Sequence, residues 1–429
     1  MTNSELKQKT IRGLYWNLTE KILVKGSSFI ISIFLARILS PNDYGLIGML
    51  IIFIALSQVF IESGFVKALI QKQNRTNIDY STVFYFNLVI AILIYTLLFF
   101  TAPLIASFYK EPQLILILRI LALNIIIGAL NIVQRAQLTV NMDFKSMAKV
   151  NFMGTLTGGI TGILMAYSGF GVWALVGQTL VAGFVTWIMF SFFTRWKPLL
   201  VFSYQSFKGL FSFGSKLLLS GIYATILNHA NTIVIGKFYK TNQLGYYTRA
   251  TQFAEIIAYT LYDVIGGVTF PMLSSIQEQR EKMISIYARS LSMTAFFIFP
   301  VMTLFAVLAK PFVLITLTEK WLPCVVLLQI LCFARAFTPL SAINLNILNA
   351  IGRSDLFLKA DLMKLPILVI AMIITIPISI KAIVIGTLVY TFISFFINAY
   401  YPGKLFGYGA VAQIKDSYKF VISSGIMAI

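Results

Sequence analysis

The chain has 429 residues, 58% hydrophobic and only 11% charged, and its 34 Lys and Arg against 15 Asp and Glu give a formal net charge of +19. Soluble domains carry about 25% charged residues, so the composition excludes an ordinary soluble enzyme or binding module. Nucleic-acid binding, the usual meaning of so basic a soluble protein, is not expected either, because in a membrane chain Lys and Arg collect in cytoplasmic loops.

Apolar runs recur at about 20 residues, the length that crosses a hydrocarbon core. Lipid admits only helices or closed barrels, and barrel strands alternate polar and apolar residues. The runs at 46–60 and 83–100 do not alternate, so the fold class is all-α integral membrane. Met1–Thr10 is polar, with Lys7 and Lys9, and the apolar segment after it is long and carries Glu20, Lys21 and Lys25. It reads as an uncleaved first span rather than a signal peptide. Twelve spans are predicted, at 12–38, 45–69, 81–103, 113–139, 148–168, 171–194, 209–237, 249–276, 286–309, 322–350, 360–378 and 380–402. Residues 406–429 read as the start of a thirteenth helix that the chain cuts short. With the N-terminus inside, the inner segments hold 21 Lys and Arg and the outer ones eight, which predicts a cytoplasmic N-terminus.

No loop is long enough to fold a catalytic domain, and the chain has no Asp-x-Asp, no phosphate-cradling Gly-rich loop and no GKS/T. It reads as a non-enzyme. Cys324 and Cys332, eight residues apart, match no metal pattern and read as free packing thiols. The single His229 rules out a multi-His metal site, and no cofactor is expected.

An internal repeat is visible at an offset of 200, where LARILSPNDYG (35–45) meets IGKFYKTNQLG (235–245). Asp143 and Asp355 echo each other at an offset of 212. Residues 1–200 and 201–405 then form two parallel six-helix halves, a known transporter architecture. In the first span Asn17, Lys21, Lys25, Ser28 and Ser32 are spaced 4, 4, 3 and 4 and share one face. In the seventh, Gly221, Thr225, Asn228 and Thr232 do the same, and at the offset four of these positions coincide. Two such stripes facing each other would line a wet central cavity. Lys21 and Lys25 would make one wall basic, suited to a diphosphate, although Lys21 can also snorkel to the interface. His229, about 100° round the helix from Asn228, reads as a buried, satisfied histidine or a cavity residue.

Charged groups inside spans are costly and usually functional. Glu62, Glu255 and Asp263 are candidate carboxylates for coupling to H⁺ or Na⁺, or else partners for Lys and Arg. Arg119 and Arg335 either reach the cavity or snorkel. Arg37 and Lys237 end outward-going helices and are candidates for an outer gate or an interface anchor. Pro271, Pro300, Pro366 and Pro377 mark hinge points, and Gly158, Gly159 and Gly162 permit bending or close packing.

Several motifs together resemble the polysaccharide transporter family, the Wzx-type, WzxC-like branch of the MATE/flippase superfamily. They are ARILSPNDYG (36–45), GFVKALIQK (64–72), APLIASFYKEPQL (102–114), MDFKSMAKV (142–150), GFGVWALVGQ (169–178), LGYYTRA (244–250), FPMLSSIQ (270–277) and NAIGRSDLFLK (349–359). The resemblance implies a V-shaped bundle of two six-helix halves around a central cavity, working by alternating access. It implies a flippase that carries a polyprenyl-diphosphate-linked oligosaccharide across the bacterial inner membrane for O-antigen (lipopolysaccharide), capsule or exopolysaccharide. Its partners would be that lipid-linked sugar, membrane lipids and other polysaccharide assembly proteins. A MATE-type cation antiporter is the alternative, and it calls for carboxylates in the cavity where the first-span stripe is basic.

Overall fold

A computed structural model of the chain describes residues 3–62, 65–72, 74–276 and 279–427. Among them there is no strand. The first series of helices is α1 (Asn3–Ile38), α2 (Pro41–Glu62), α3 (Phe65–Gln71), α4 (Asn77–Tyr109), α5 (Leu114–Leu121), α6 (Leu123–Val140), α7 (Phe144–Tyr167) and α8 (Trp173–Thr194). The second is α9 (Tyr204–Phe238), α10 (Thr241–Ser275), α11 (Arg280–Val307), α12 (Ala309–Thr316), α13 (Cys324–Ala350), α14 (Ser354–Thr375) and α15 (Ile380–Phe406), followed by α16 (Ala410–Met427). The two series repeat the same order of long helices, and a short helix, α5 or α12, precedes the fourth long one in each.

Among the described residues, eight helical segments are long and apolar enough to cross a membrane: α2, α4, α5–α6, α8, the 218–238 part of α9, α11, α13 and α15. The chain is a multi-pass membrane protein. α1, α7, α10 and α14 stand where the other four spans are predicted. On α14, Lys364 pairs with Asp361 one turn away at 2.5 Å. The predicted second span corresponds to α2 and α3, and residues 63–64 between them lie outside the described residues.

The chain divides into two compact units, Met1–Lys237 and Phe238–Ile429. In the first, α7 lies close along α8 because Gly154, Gly158 and Gly162 repeat every four residues on the facing side. A Cβ on Gly158 would come within 2.6 Å of the Gln178 carbonyl and of Ala182 Cβ, and one on Gly162 within 2.9 Å of Gln178 Cβ. The same helix carries α1 on another face, where Ile31 sits over Gly159. Ile31, Leu35, Leu39, Ala166 and Ala174 form a shared core there. The turn from α7 to α8 needs a left-handed Gly169 (φ 81°) and Gly171 (φ 54°), a region that favours glycine. Asp43, which accepts from the Ser40 N–H at 2.8 Å and so begins α2, lies against Gly171.

Residues 195–203, between the two series of helices, are strapped to the start of α4. The Leu199 N–H donates to Ser81 Oγ at 2.9 Å and the Ser203 N–H to Thr82 Oγ1 at 3.1 Å. Trp196 sets its ring edge-on to Tyr80 and Phe84. Phe207 and Phe211 of α9 join a ring cluster with Phe65, and Phe207 also meets Phe86. At the other end of α9, Lys237 donates to the Phe108 carbonyl at 2.5 Å and covers the Phe108 ring at 4.2 Å. Such a cation at a helix C-terminus satisfies an orphan carbonyl and offsets the helix dipole. These contacts carry the compact unit past residue 200 to Lys237.

In the second unit, α16 is held by a buried polar triad. Gln413 Nε2 donates to Asn344 Oδ1 at 2.9 Å and to the Tyr287 hydroxyl at 3.0 Å, while Asn344 Nδ2 donates back to Gln413 Oε1 at 3.0 Å. The Tyr287 hydroxyl donates to Asn344 Oδ1. A cavity of about 240 Å³ opens beside it, lined by Phe299, Phe337, Phe392, Phe395 and apolar residues of α16. Cys324 and Cys332 are buried free thiols in α13.

Candidate functional site

Within the first unit α1, α6, α7 and α8 line an open cavity of about 540 Å³. Val24 and Ser28 come from α1, Asn124, Gly128 and Asn131 from α6, Asn151, Gly154 and Thr155 from α7, and Gln178, Thr179, Ala182, Gly183 and Thr186 from α8. Eight of these thirteen side chains are amides or hydroxyls, and none is charged. The lining residues of each helix are three or four apart, or adjacent as at 154/155, 178/179 and 182/183, so one face of each is turned inward.

The glycines place the polar groups. A Cβ on Gly154 would fall 2.2 Å from Thr186 Oγ1, and one on Gly183 would fall 2.4 Å from Asn124 Oδ1. Both hydrogen-bonding groups occupy room that only glycine leaves. Thr155 and Thr179 donate to the carbonyls of Asn151 and Leu175 one turn earlier, at 2.8 and 2.9 Å, so their hydroxyls face other groups as acceptors. Asn151 Nδ2 donates to Glu20 Oε1 at 2.6 Å, a bond that fixes the amide from the α1 side. Asn131 Oδ1 is buried with no hydrogen-bond partner in the protein. A buried acceptor left open costs about 1–3 kcal/mol, which bound solvent or ligand would recover.

Of the stripe predicted on the first span, Ser28 lines this cavity and Ser32 bonds back to the Phe29 carbonyl at 2.8 Å. Lys21 and Lys25 are exposed on α1, about one turn from Val24 and Ser28. The side chain of Asn17 lies outside the described residues. The seventh-span stripe does not enter the cavity. Gly221 packs against Val59 of α2, Thr225 and His229 are half-buried, and Asn228 is exposed.

The candidate coupling carboxylates that are described have cationic partners. Glu62 is exposed and lies 3.5 Å from Arg135, and Glu255 of α10 meets Arg335 of α13 at 2.7 Å. The side chain of Asp263 lies outside the described residues. Of the candidate gate residues, Arg37 is exposed at the end of α1 and Lys237 caps α4 as described above.

Arg119, ambiguous in sequence, has a definite task. Pro103 lacks an N–H, so the carbonyl four residues earlier, at Phe99, loses its helical donor. Arg119 Nε donates to that carbonyl at 3.2 Å, and the guanidinium stacks over the Phe99 ring at 4.1 Å. The sequence reading passed over the cavity's own amides. Their signal was the spacing 124/128/131 on α6 and 178/182/186 on α8, a repeat of small and uncharged polar residues without a charge to draw attention.

The helices have the fold of the solved MurJ and MATE proteins. The solved lipid II flippase MurJ, in an inward closed conformation, superposes with a TM-score of 0.78 at 18% identity, covering 97% of this chain and 91% of that one. An inward-facing multidrug resistance MATE transporter gives 0.67 at 16% identity, covering 95% of each chain. The family model described as "Polysaccharide biosynthesis protein" matches residues 34–326, and the chain belongs to that family. It is similar to the teichuronic acid biosynthesis protein TuaB of Bacillus subtilis, 26% identical over 70% of this chain and 62% of TuaB. The succinoglycan biosynthesis transport protein ExoT of Rhizobium meliloti is also 26% identical, over 75% of this chain and 65% of ExoT. The lipopolysaccharide biosynthesis protein WzxC of Escherichia coli is 24% identical, over 84% of this chain and 73% of WzxC. The chain thus spans a little under two thirds of the length of TuaB and ExoT.

Proposed function

We propose that this chain is a flippase, not an enzyme, that moves a polyprenyl-diphosphate-linked oligosaccharide across the bacterial cytoplasmic membrane. It works by alternating access and supplies O-antigen, capsule or exopolysaccharide assembly. Membership of the polysaccharide biosynthesis family carries the reading. The basic Lys21 and Lys25 on the first-span stripe support it against a cation antiporter on the same fold, which calls for carboxylates there. The charge bias of the loops supports a cytoplasmic N-terminus. Lys21 and Lys25 are the proposed contacts of the diphosphate. H⁺ or Na⁺ would drive transport if a carboxylate such as Glu255 couples to it, and membrane lipids and other assembly proteins would be its neighbours.

The test is deletion of the gene followed by mass spectrometry of extracted polyprenyl-diphosphate sugars. A complete repeat unit accumulating on its lipid, with surface polymer lost, is the expected result. A normal lipid pool with normal surface polymer, in a strain with no second flippase, would sink the reading. In the complemented strain, Lys25→Ala should lose export while the protein still reaches the membrane, and Lys25→Arg should retain it.

A further inference from the structure

From the chemistry of the cavity in the first unit, we infer that it is a subsite for one uncharged sugar residue of the cargo, with Asn131 among the amides that line it. The inference rests on the flippase reading above and adds where a sugar is held and which sugars are admitted.

The cavity's volume of about 540 Å³ falls in the range of small-molecule sites, about 300–1,000 Å³. It far exceeds the ~30 Å³ share of a single structural water. Its polar lining is three asparagines, one glutamine, three threonines and one serine. A sugar hydroxyl both donates and accepts, and the wall offers both senses: the Thr155 and Thr179 hydroxyls, already donating within their helices, accept, and the lining amides donate. Without a Lys or Arg in the lining, an anion entering would be desolvated with no charge to balance it. The wall therefore favours a neutral hexosyl or N-acetylhexosaminyl residue over a uronic acid, and leaves the diphosphate to cations outside it. Pre-placement matters here too. Asn124 and Thr186 occupy glycine-made recesses, and the bond from Glu20 holds Asn151, so little side-chain freedom is lost on binding.

Gly128 offers a clean way to fill the site. It lines the cavity, and a Cβ added there meets nothing within 4 Å. Gly128→Ala should be silent, while Gly128→Leu places its branches where the sugar would lie. Purified full-length protein in nanodiscs would be examined by saturation-transfer difference NMR with methyl α-glucopyranoside, methyl N-acetyl-α-glucosaminide and methyl α-glucopyranosiduronate as probes. At least one neutral glycoside should show transfer that falls about ten-fold in Asn131→Ala and in Gly128→Leu and persists in Gly128→Ala. The uronate should show no transfer that depends on these residues. Neutral-glycoside transfer that is absent, or unchanged in both Asn131→Ala and Gly128→Leu, would overturn the subsite, as would a uronate signal lost in both. The strains of the deletion experiment separate the two readings. If deletion accumulates the lipid-linked repeat unit but Asn131→Ala and Gly128→Leu clear it as wild type does, the subsite fails and the flippase stands. If deletion leaves the lipid pool unchanged, the flippase reading itself fails.

Discussion

A single side chain can serve either the fold or the substrate, and two arginines show how the surroundings decide. Arg119 stands in for the N–H that Pro103 lacks, and so keeps the Phe99 carbonyl satisfied inside a long helix. Arg119→Ala should therefore lower stability by about 1–3 kcal/mol, read as a drop in Tm in detergent. Pro103→Ala returns the missing donor, so in that background Arg119→Ala should cost much less. An equal drop in both backgrounds would assign the effect to ring stacking instead. Arg335 is tied to Glu255 at 2.7 Å, with side chains 19% and 31% exposed. Removing one partner of a fully buried pair costs about 3–5 kcal/mol, and this partly exposed pair should lose less. If the pair is structural, Glu255→Gln lowers Tm, and Glu255→Gln with Arg335→Gln recovers much of it. A Glu255→Gln variant of normal Tm that no longer exports would mark the carboxylate as a coupling group.

At the scale of elements, the pattern of long apolar runs made most helices readable from the sequence, and the 200-residue offset is repeated in the helix starts at 41 and 241. What the sequence hid was the pairing of elements. Gly158, Gly159 and Gly162 were open to bending or packing, and the close approach of α8 to Gly158 and Gly162 and of Ile31 to Gly159 supports packing. The amides on α6 and α8 were illegible as a site because an uncharged polar residue costs a span little, and only the cavity shows that they converge. Glu62 and Glu255 stood out in the sequence as coupling groups or as partners for Lys and Arg, and each lies beside an arginine in the structure. The docking of α16 was equally hidden, since Gln413, Asn344 and Tyr287 are 126 residues apart at the extremes. Gln413→Leu removes the shared partner of two buried polar groups. It should destabilise the second unit by about 1–3 kcal/mol, measured as earlier thermal unfolding and as faster cleavage by protease near Gly407.

At the scale of the molecule, each compact unit has its own core, and the first carries the polar cavity. α1 and α7 present side chains to that cavity, but eight of its thirteen lining residues come from α6 and α8, which are among the strongly apolar segments. A hydrogen-bonding face here takes up one side of a helix that is apolar on its others, so it leaves little mark on the mean hydropathy of the span.

The strap over α4 also bears on the order in which the chain is made. Ser81 and Thr82 receive their donors from residues 118 and 121 positions later. The ribosome must therefore deliver eight helices and the strap before the first unit can close, and α9 before it is finished. In a series of translation-arrested nascent chains, protease resistance at the start of α4 should appear as a single step once residues 200–240 have left the exit tunnel. Resistance already complete in chains ending before Trp196 would show that the strap is an ornament on a body that closes without it.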